Sequence, residues 1–389
     1  MIRKLTRVAA IVGALACTAV SSIGAAQMAA AQPDVVGHVY VNDNTAGMNT
    51  VAGLARHADG TLSLLPGSPY AIGGAGTGSV TGSQGAIQLS SDGRYLLAVD
   101  AGSNQISVAG IQPDGSLQPV EGTPVASGGA TPVSIAVYGN LVYVANGGAG
   151  DSNYTGFRLN DGGQLQPIDD STFPLPDDAV PGDLVFNRDG TRLIGARVGP
   201  DAGPSYIDSF VVGADGRLTA APGSPYPSQG VGPLGSEFRP TSASQLYVTI
   251  AHDGPGNGSV SALNVGADGT LTPISAEPTR NDQSGTCWIE ISHDGRFLYA
   301  VNTGTPSISS YAIAADGTLT FMSNTSFKSA EGLRPFDARL DLSGKYLYVV
   351  GAGSAMVSVF AVDGGSLTEM ANSPMPLPDG ATPFGIVVN

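Results

Sequence analysis

Runs of alternating apolar and polar residues recur along the chain, and they fall into three sets. Strict alternation marks residues 106–111, 154–159, 207–212, 260–265, 308–313 and 357–362, with 51–55 as a weaker first example. Ahead of these lie more apolar runs at 95–100, 141–146, 246–251, 297–302 and 346–351, with 192–197 and 38–42 filling the other two copies. The third set usually follows a Pro or Gly: 85–90, 132–137, 181–187, 235–240, 287–292, 335–340 and, ending the chain, 383–389. Runs of this length with this period read as β-strands.

The strands are punctuated by one phrase, Asp-Gly-x-Leu or a relic of it, opening at Asp59, Asp114, Gly162, Asp215, Asp268, Asp316 and Asp363. Its leucines, Leu62, Leu117, Leu165, Leu218, Leu271, Leu319 and Leu367, step by 55, 48, 53, 53, 48 and 48 residues. Asp-Gly between strands signals a hairpin, because Gly accepts positive φ without steric cost. The Asp residues are read as turn formers, since no calcium-loop spacing accompanies them. A second turn, as at Asp92-Gly93-Arg94 and Asp294-Gly295-Arg296, precedes the apolar strand.

Seven copies of a four-stranded unit predict an all-β, seven-bladed β-propeller. The first copy begins with its second strand, so the C-terminal strand is expected to complete the N-terminal blade and close the ring. An open solenoid would not need its two ends to complement each other. Closure also leaves only short, protected sheet edges.

Composition agrees. The 389 residues include 55 Gly and 27 Pro, and only 13% are charged. Six Glu and three Lys are too few for the surfaces of a helical bundle. Gly without a period of three excludes collagen.

Residues 1–31 read as a secretory signal peptide: Arg3, Lys4 and Arg7, an apolar run over 8–20, then Ala29-Ala30-Ala31 before Gln32. Lipidation at Cys17 is the minor alternative. The mature chain, 32–389, is then one secreted or extracytoplasmic propeller domain with 14 basic and 32 acidic residues, a net charge of −18. That balance excludes a nucleic-acid partner. No other apolar run is long enough to span a membrane. Cys287 is the only cysteine left, so no internal disulfide is expected. A monomer is expected.

Alternation also sorts the innermost strands. One phase is apolar (Ile87 and Leu89, Ile135 and Val137, Leu184 and Phe186, Ile289 and Ile291, Ile386 and Val388) and should pack between blades. The other phase should face the central channel: Gln88, Ser134, Asp183, Trp288, Glu290, Asp337 and Arg339, with Glu237 and Arg239. A buried carboxylate there can act as a general base, and an Arg can hold a carboxylate or an oxyanion. Glu290 and Arg339 are the leading catalytic candidates, with Asp183 and Asp337 behind them. The plain alternative is a wet channel whose polar lining pairs with itself. Trp288, the only Trp, is a candidate ring-stacking residue. His252 is a candidate on the loop face, where Gly73–Gly85 forms either a lid or a surface insertion. Four His without ligand spacing give no zinc site. Gly-x-Ser-x-Gly is absent, and Gly230-x-Gly232-x-x-Gly235 contains Pro233 and leads into a strand. No cofactor is expected.

The repeat, and phrases such as Ser292-His293-Asp294-Gly295-Arg296-Phe297-Leu298-Tyr299-Ala300-Val301-Asn302, resemble the lactonase propeller family over residues 37–389. That family includes propeller-type 6-phosphogluconolactonases and carboxymuconate-lactonizing enzymes. The resemblance implies chemistry by His, Arg and Glu at the channel mouth, and there the match departs. The family's Gly-Pro-Arg-His is similar to Gly232-Pro233-Leu234-Gly235, without either functional side chain. Its paired His fall near Val180–Asp183, which has none. Its Asn-Glu falls near Ile250-Ala251, beside His252, and its Pro-Arg-Asn resembles Pro335-Phe336-Asp337, with Arg334 one place early. Three functions stand open: a platform binding a small molecule or cell-envelope partner at the funnel, a lactone hydrolase with a rearranged acid/Arg site, and a structural scaffold. Candidate ligand contacts are Trp288, Glu237, Arg239, Arg334, His252, Gln88 and Ser134.

Overall fold

A computed structural model describes residues 34–199 and 205–389. The signal segment and Cys17 lie outside them. The described chain is all β-strand and turn, in seven antiparallel sheets arranged as the blades of a propeller. Among the described residues no helix is long and apolar enough to cross a membrane.

Each blade runs inner, second, third and outer strand. Blade four is typical: Pro181–Phe186, Arg192–Arg197, Tyr206–Val212 and Leu218–Ala220. Blade one takes its inner strand from the C-terminus, with Ile386–Val388 pairing Val35–Asn42. Further bonds tie that closure. Asn389 N donates to His38 O and His38 N to Asn389 Oδ1, while Arg56 donates to Asn389 O at 3.0 Å. Arg56 also reaches the buried Asp341 of blade seven at 3.1 Å.

Six blades carry a fifth short strand that the alternation pattern did not reveal. In blade one Tyr70–Gly73 pairs the third strand beyond the outer one, and in blade two Val125–Ala126 does the same. The outer run is broken there by prolines, as in Leu65-Pro66-Gly67-Ser68-Pro69, because Pro has no N–H for the ladder. Blade six has no such proline, and its outer strand Leu319–Ser326 pairs without a second segment.

The repeated turns work as the sequence implies. The Asp59, Asp114, Asp215, Asp268 and Asp316 carboxylates each accept the N–H two residues on, at 3.0–3.1 Å. The following Gly has a second task. In alternate blades a second-strand Tyr donates to that Gly carbonyl in the next blade: Tyr40 to Gly115, Tyr143 to Gly216, Tyr247 to Gly317 and Tyr348 to Gly60. Removing one such donor strands a buried acceptor. Tyr143→Phe is therefore expected to cost about 1–2 kcal/mol, read as a lower denaturant midpoint with unchanged slope.

The apolar phase of the inner strands packs between blades as expected. Ile386 and Val388 join Val39, Val41, Tyr348 and Val350 between blades one and seven, while Ile87 joins Tyr40, Val51 and Leu96 between blades one and two.

Candidate functional site

The other phase of the inner strands builds the channel in two layers. Strand register places Ser134, Asp183 and Trp288 in the first, near the ends where the inner strands begin, with Asp337 in the bulge at the same end of blade seven. Gln88, Glu237, Glu290 and Arg339 stand one step further along.

The first layer is closed by the chain itself. The Gly-rich loop is neither a lid nor a surface insertion at its end: Ser83–Gly85 lies buried across the channel and bonds to five blades. Ser83 Oγ donates to Val133 O at 2.6 Å, and Trp288 Nε1 donates to Ser83 O at 2.7 Å. Gln84 N donates to Gly182 O at 2.9 Å and Gln84 Nε2 to Ser236 O at 3.2 Å, while Gln84 Oε1 accepts from Ile289 N at 3.0 Å. Gly85 N donates to Asp337 Oδ2 at 3.2 Å. Gly235 makes room for this crossing, since a Cβ there would stand 2.5 Å from Gln84 Oε1.

Beyond the crossing, a pocket of about 270 Å³ opens toward the ends where the inner strands finish. Gln84, Gln88, Asp183, Ser236, Glu237, Glu290 and Arg339 line it, with Pro240 and His293 toward the mouth. At about 30 Å³ per water, that is room for one small ring.

Arg339 organises the acids. Its Nη1 lies 2.9 Å from Asp337 Oδ1, 3.6 Å from Glu290 Oε2 and 2.7 Å from Ala338 O. Glu290 Oε1 accepts the Leu340 N–H at 3.0 Å. Asp183 accepts from Ser236 N at 2.8 Å and Ser236 Oγ at 2.7 Å, with Ser134 Oγ at 3.4 Å. Glu237 Oε2 is shielded from solvent and accepts no hydrogen bond.

Burial sets the proton affinities. It pushes Glu290 up to about 7 against the pull of Arg339, and Asp183 up to about 7 against the Ser236 bonds. Asp337 is also raised by burial, with Arg339 opposing. Glu237 is raised well above the usual carboxylate range by burial and then by the charge of Glu290. Burial works against the charge of Arg339, but Asp337, Glu290, Glu237 and Asp183 together hold its affinity above the ordinary value.

Several expected contacts lie elsewhere. Trp288 is only 2% exposed and stacks on Phe336 with ring centroids 4.2 Å apart, so it seals the crossing and offers no face to a ligand. Arg239 falls past the end of Pro233–Phe238, and its guanidinium is taken by Gly295 O, Gln245 Oε1 and Ala314 O. Arg334 and His252 sit at the strand-starting end, across the crossing from the pocket: Arg334 O accepts from Ala352 N, and His252 N donates to Val231 O. Ser134 supports Asp183 from the first layer. Cys287 is buried, which pushes its thiol up to about 12. Gln84 and Ser236 were missed. Their only sequence signal is polar character at the start of an inner strand, where alternation gives no depth. Among the described residues no group of three or more His, Cys, Asp or Glu is placed to hold a metal.

A ring of seven antiparallel sheets is a seven-bladed β-propeller. The chain belongs to the lactonase family of seven-bladed β-propellers, matching its sequence pattern over residues 48–181 and 195–380. In shape it is similar to a candidate 6-phosphogluconolactonase of Bacteroides fragilis NCTC 9343, at 20% identity and TM-score 0.70, covering 91% of this chain and 98% of that one. It is similar also to the periplasmic gluconolactonase PpgL of Pseudomonas aeruginosa, at 18% identity and TM-score 0.71, covering 90% and 98%. At these identities the likeness is one of fold.

Proposed function

We propose that the pocket hydrolyses a lactone, with Glu290 as general base and Glu237 as general acid. The observation that carries this reading is geometric: Glu237 and Glu290 line one pocket beside a single guanidinium, whose Nη1 lies 3.6 Å from Glu290 Oε2. Burial raises both carboxyls, and the guanidinium beside Glu290 favours its charged form, which makes Glu290 the base and leaves Glu237 the acid. Glu290 takes a proton from water as the water oxygen bonds to the lactone carbonyl carbon. Charge gathering on the carbonyl oxygen is met by Arg339. The ester C–O bond then breaks, and the ring oxygen leaves with the Glu237 proton to give a hydroxy acid. Solvent returns the proton from Glu290 to Glu237, so one water is consumed per turnover. Family membership supports the reaction class.

A general base must be ionised, so the rate should climb as pH rises through about 7. Glu290→Gln is expected to lower kcat by about 10²–10⁴-fold and to remove that limb of the pH profile. The assay is initial-rate hydrolysis on a lactone panel, corrected for spontaneous opening. Wild-type kcat retained by the variant would discard the assigned base.

A second reading is a binding platform, favoured by Asp183 and Asp337, whose carboxylates are already bonded within the protein. It predicts lactone binding by calorimetry with no wild-type turnover.

A further inference from the structure

The charge census of the pocket is one-sided. Asp183, Glu237 and Glu290 line the pocket, Asp337 stands behind them against the same guanidinium, and Arg339 is the only Arg or Lys among the lining residues. Its Nη1 is already held between Asp337 Oδ1, Ala338 O and the Glu290 carboxylate. His293, at the mouth, has Nε2 hydrogen-bonded to Asp341 O at 2.8 Å. A phosphate entering here would meet three carboxyl groups for one guanidinium, itself already paired with Asp337, in a site where poor solvation strengthens like-charge repulsion.

The same walls suit hydroxyl groups. A hydroxyl donates to a carboxylate and accepts from an amide, and the pocket offers both partners: the acids, and the side-chain amides of Gln84 and Gln88. The blind end set by Gln84 limits the ligand to about one ring. We infer that the pocket takes uncharged, polyhydroxylated lactones and turns away lactones bearing a phosphate or a second carboxylate. This rests on the hydrolase reading and narrows it to one substrate class. Ring opening makes an anion from a neutral substrate, so the charges that admit the lactone expel the product.

The test uses the intact mature protein with D-glucono-1,5-lactone and its 6-phosphate. The expected result is a kcat/KM at least 100-fold higher for the neutral lactone, with little inhibition by the gluconate product. Asp183→Asn removes one charge from the wall without touching the proposed base or acid. It should shrink the neutral-to-phosphate ratio about tenfold, whatever happens to the absolute rate. Equal or faster turnover of the phosphate overturns the inference and leaves the hydrolase reading standing. If neither lactone is opened, the hydrolase reading fails, and calorimetry with gluconolactam and its 6-phosphate decides the selectivity. Lactam binding at least 100-fold tighter than its phosphate keeps the inference. Equal binding, tighter phosphate binding or no binding of either overturns it.

Discussion

Replacing Arg339 with Met is expected to lower the melting temperature by about 10 °C at pH 7.5 and by only a few degrees at pH 5. The guanidinium faces Asp337, Glu290, Glu237 and Asp183. Removing one partner of a buried ion pair typically costs about 3–5 kcal/mol, because the other charge is left uncompensated. That cost exists only while the acids are ionised. Glu290 and Asp183 have ordinary values of 4.5 and 3.8 and are raised to about 7 in the folded protein. For a raised acid the folded state holds more protons than the unfolded state between those limits. Its stabilising contribution is therefore complete below about 4 and is lost as pH rises through about 7. The wild type should itself be more stable at pH 5 than at pH 7.5, and Arg339→Met should widen that gap. Thermal unfolding of both proteins at the two pH values measures it. Equal losses at both would mean that Arg339 contributes packing and not charge.

Deleting residues 384–389 is expected to abolish the cooperative unfolding transition. The deletion removes Ile386–Val388 from its ladder with Val35–Asn42, and with it Phe384, which is fully buried. It also removes the Asn389 acceptors of His38 and Arg56, leaving Arg56 only Asp341 and Val36. Blade one would then present an unpaired apolar edge toward the channel, a template for association. The readouts are calorimetry and light scattering. A synthetic peptide of residues 383–389 added in trans should restore a transition whose midpoint depends on peptide concentration. A truncated protein that melts like the full chain would show that the ring closes without its last strand.

The sequence made the ring legible because its signals are local. Asp-Gly turns and alternating strands repeat at nearly constant spacing, and a first copy lacking its inner strand points to the C-terminus. The convergence of Glu290, Asp337, Arg339, Asp183, Glu237 and Gln88 was legible for the same reason, since alternation says which face a residue takes. Alternation does not say how deep along the channel that face lies. Trp288 and Glu290 share a phase, yet one is sealed under Ser83 and the other lines the pocket. Nor does it say where a strand stops, which is why Arg239 leaves the channel. The crossing by Ser83–Gly85 depends on contacts with residues far along the chain, and no local pattern encodes it.

That crossing sets an order in time. Gly85 and its acceptor Asp337 are 252 residues apart, and Gln84 and Ile289 are 205 apart. A ribosome adding about 5–20 residues per second takes about 13–50 s to make the longer interval. Throughout it Gly85 has been made but its acceptor has not. The crossing cannot be completed until blade seven has been made, although its own residues are among the first to be synthesised.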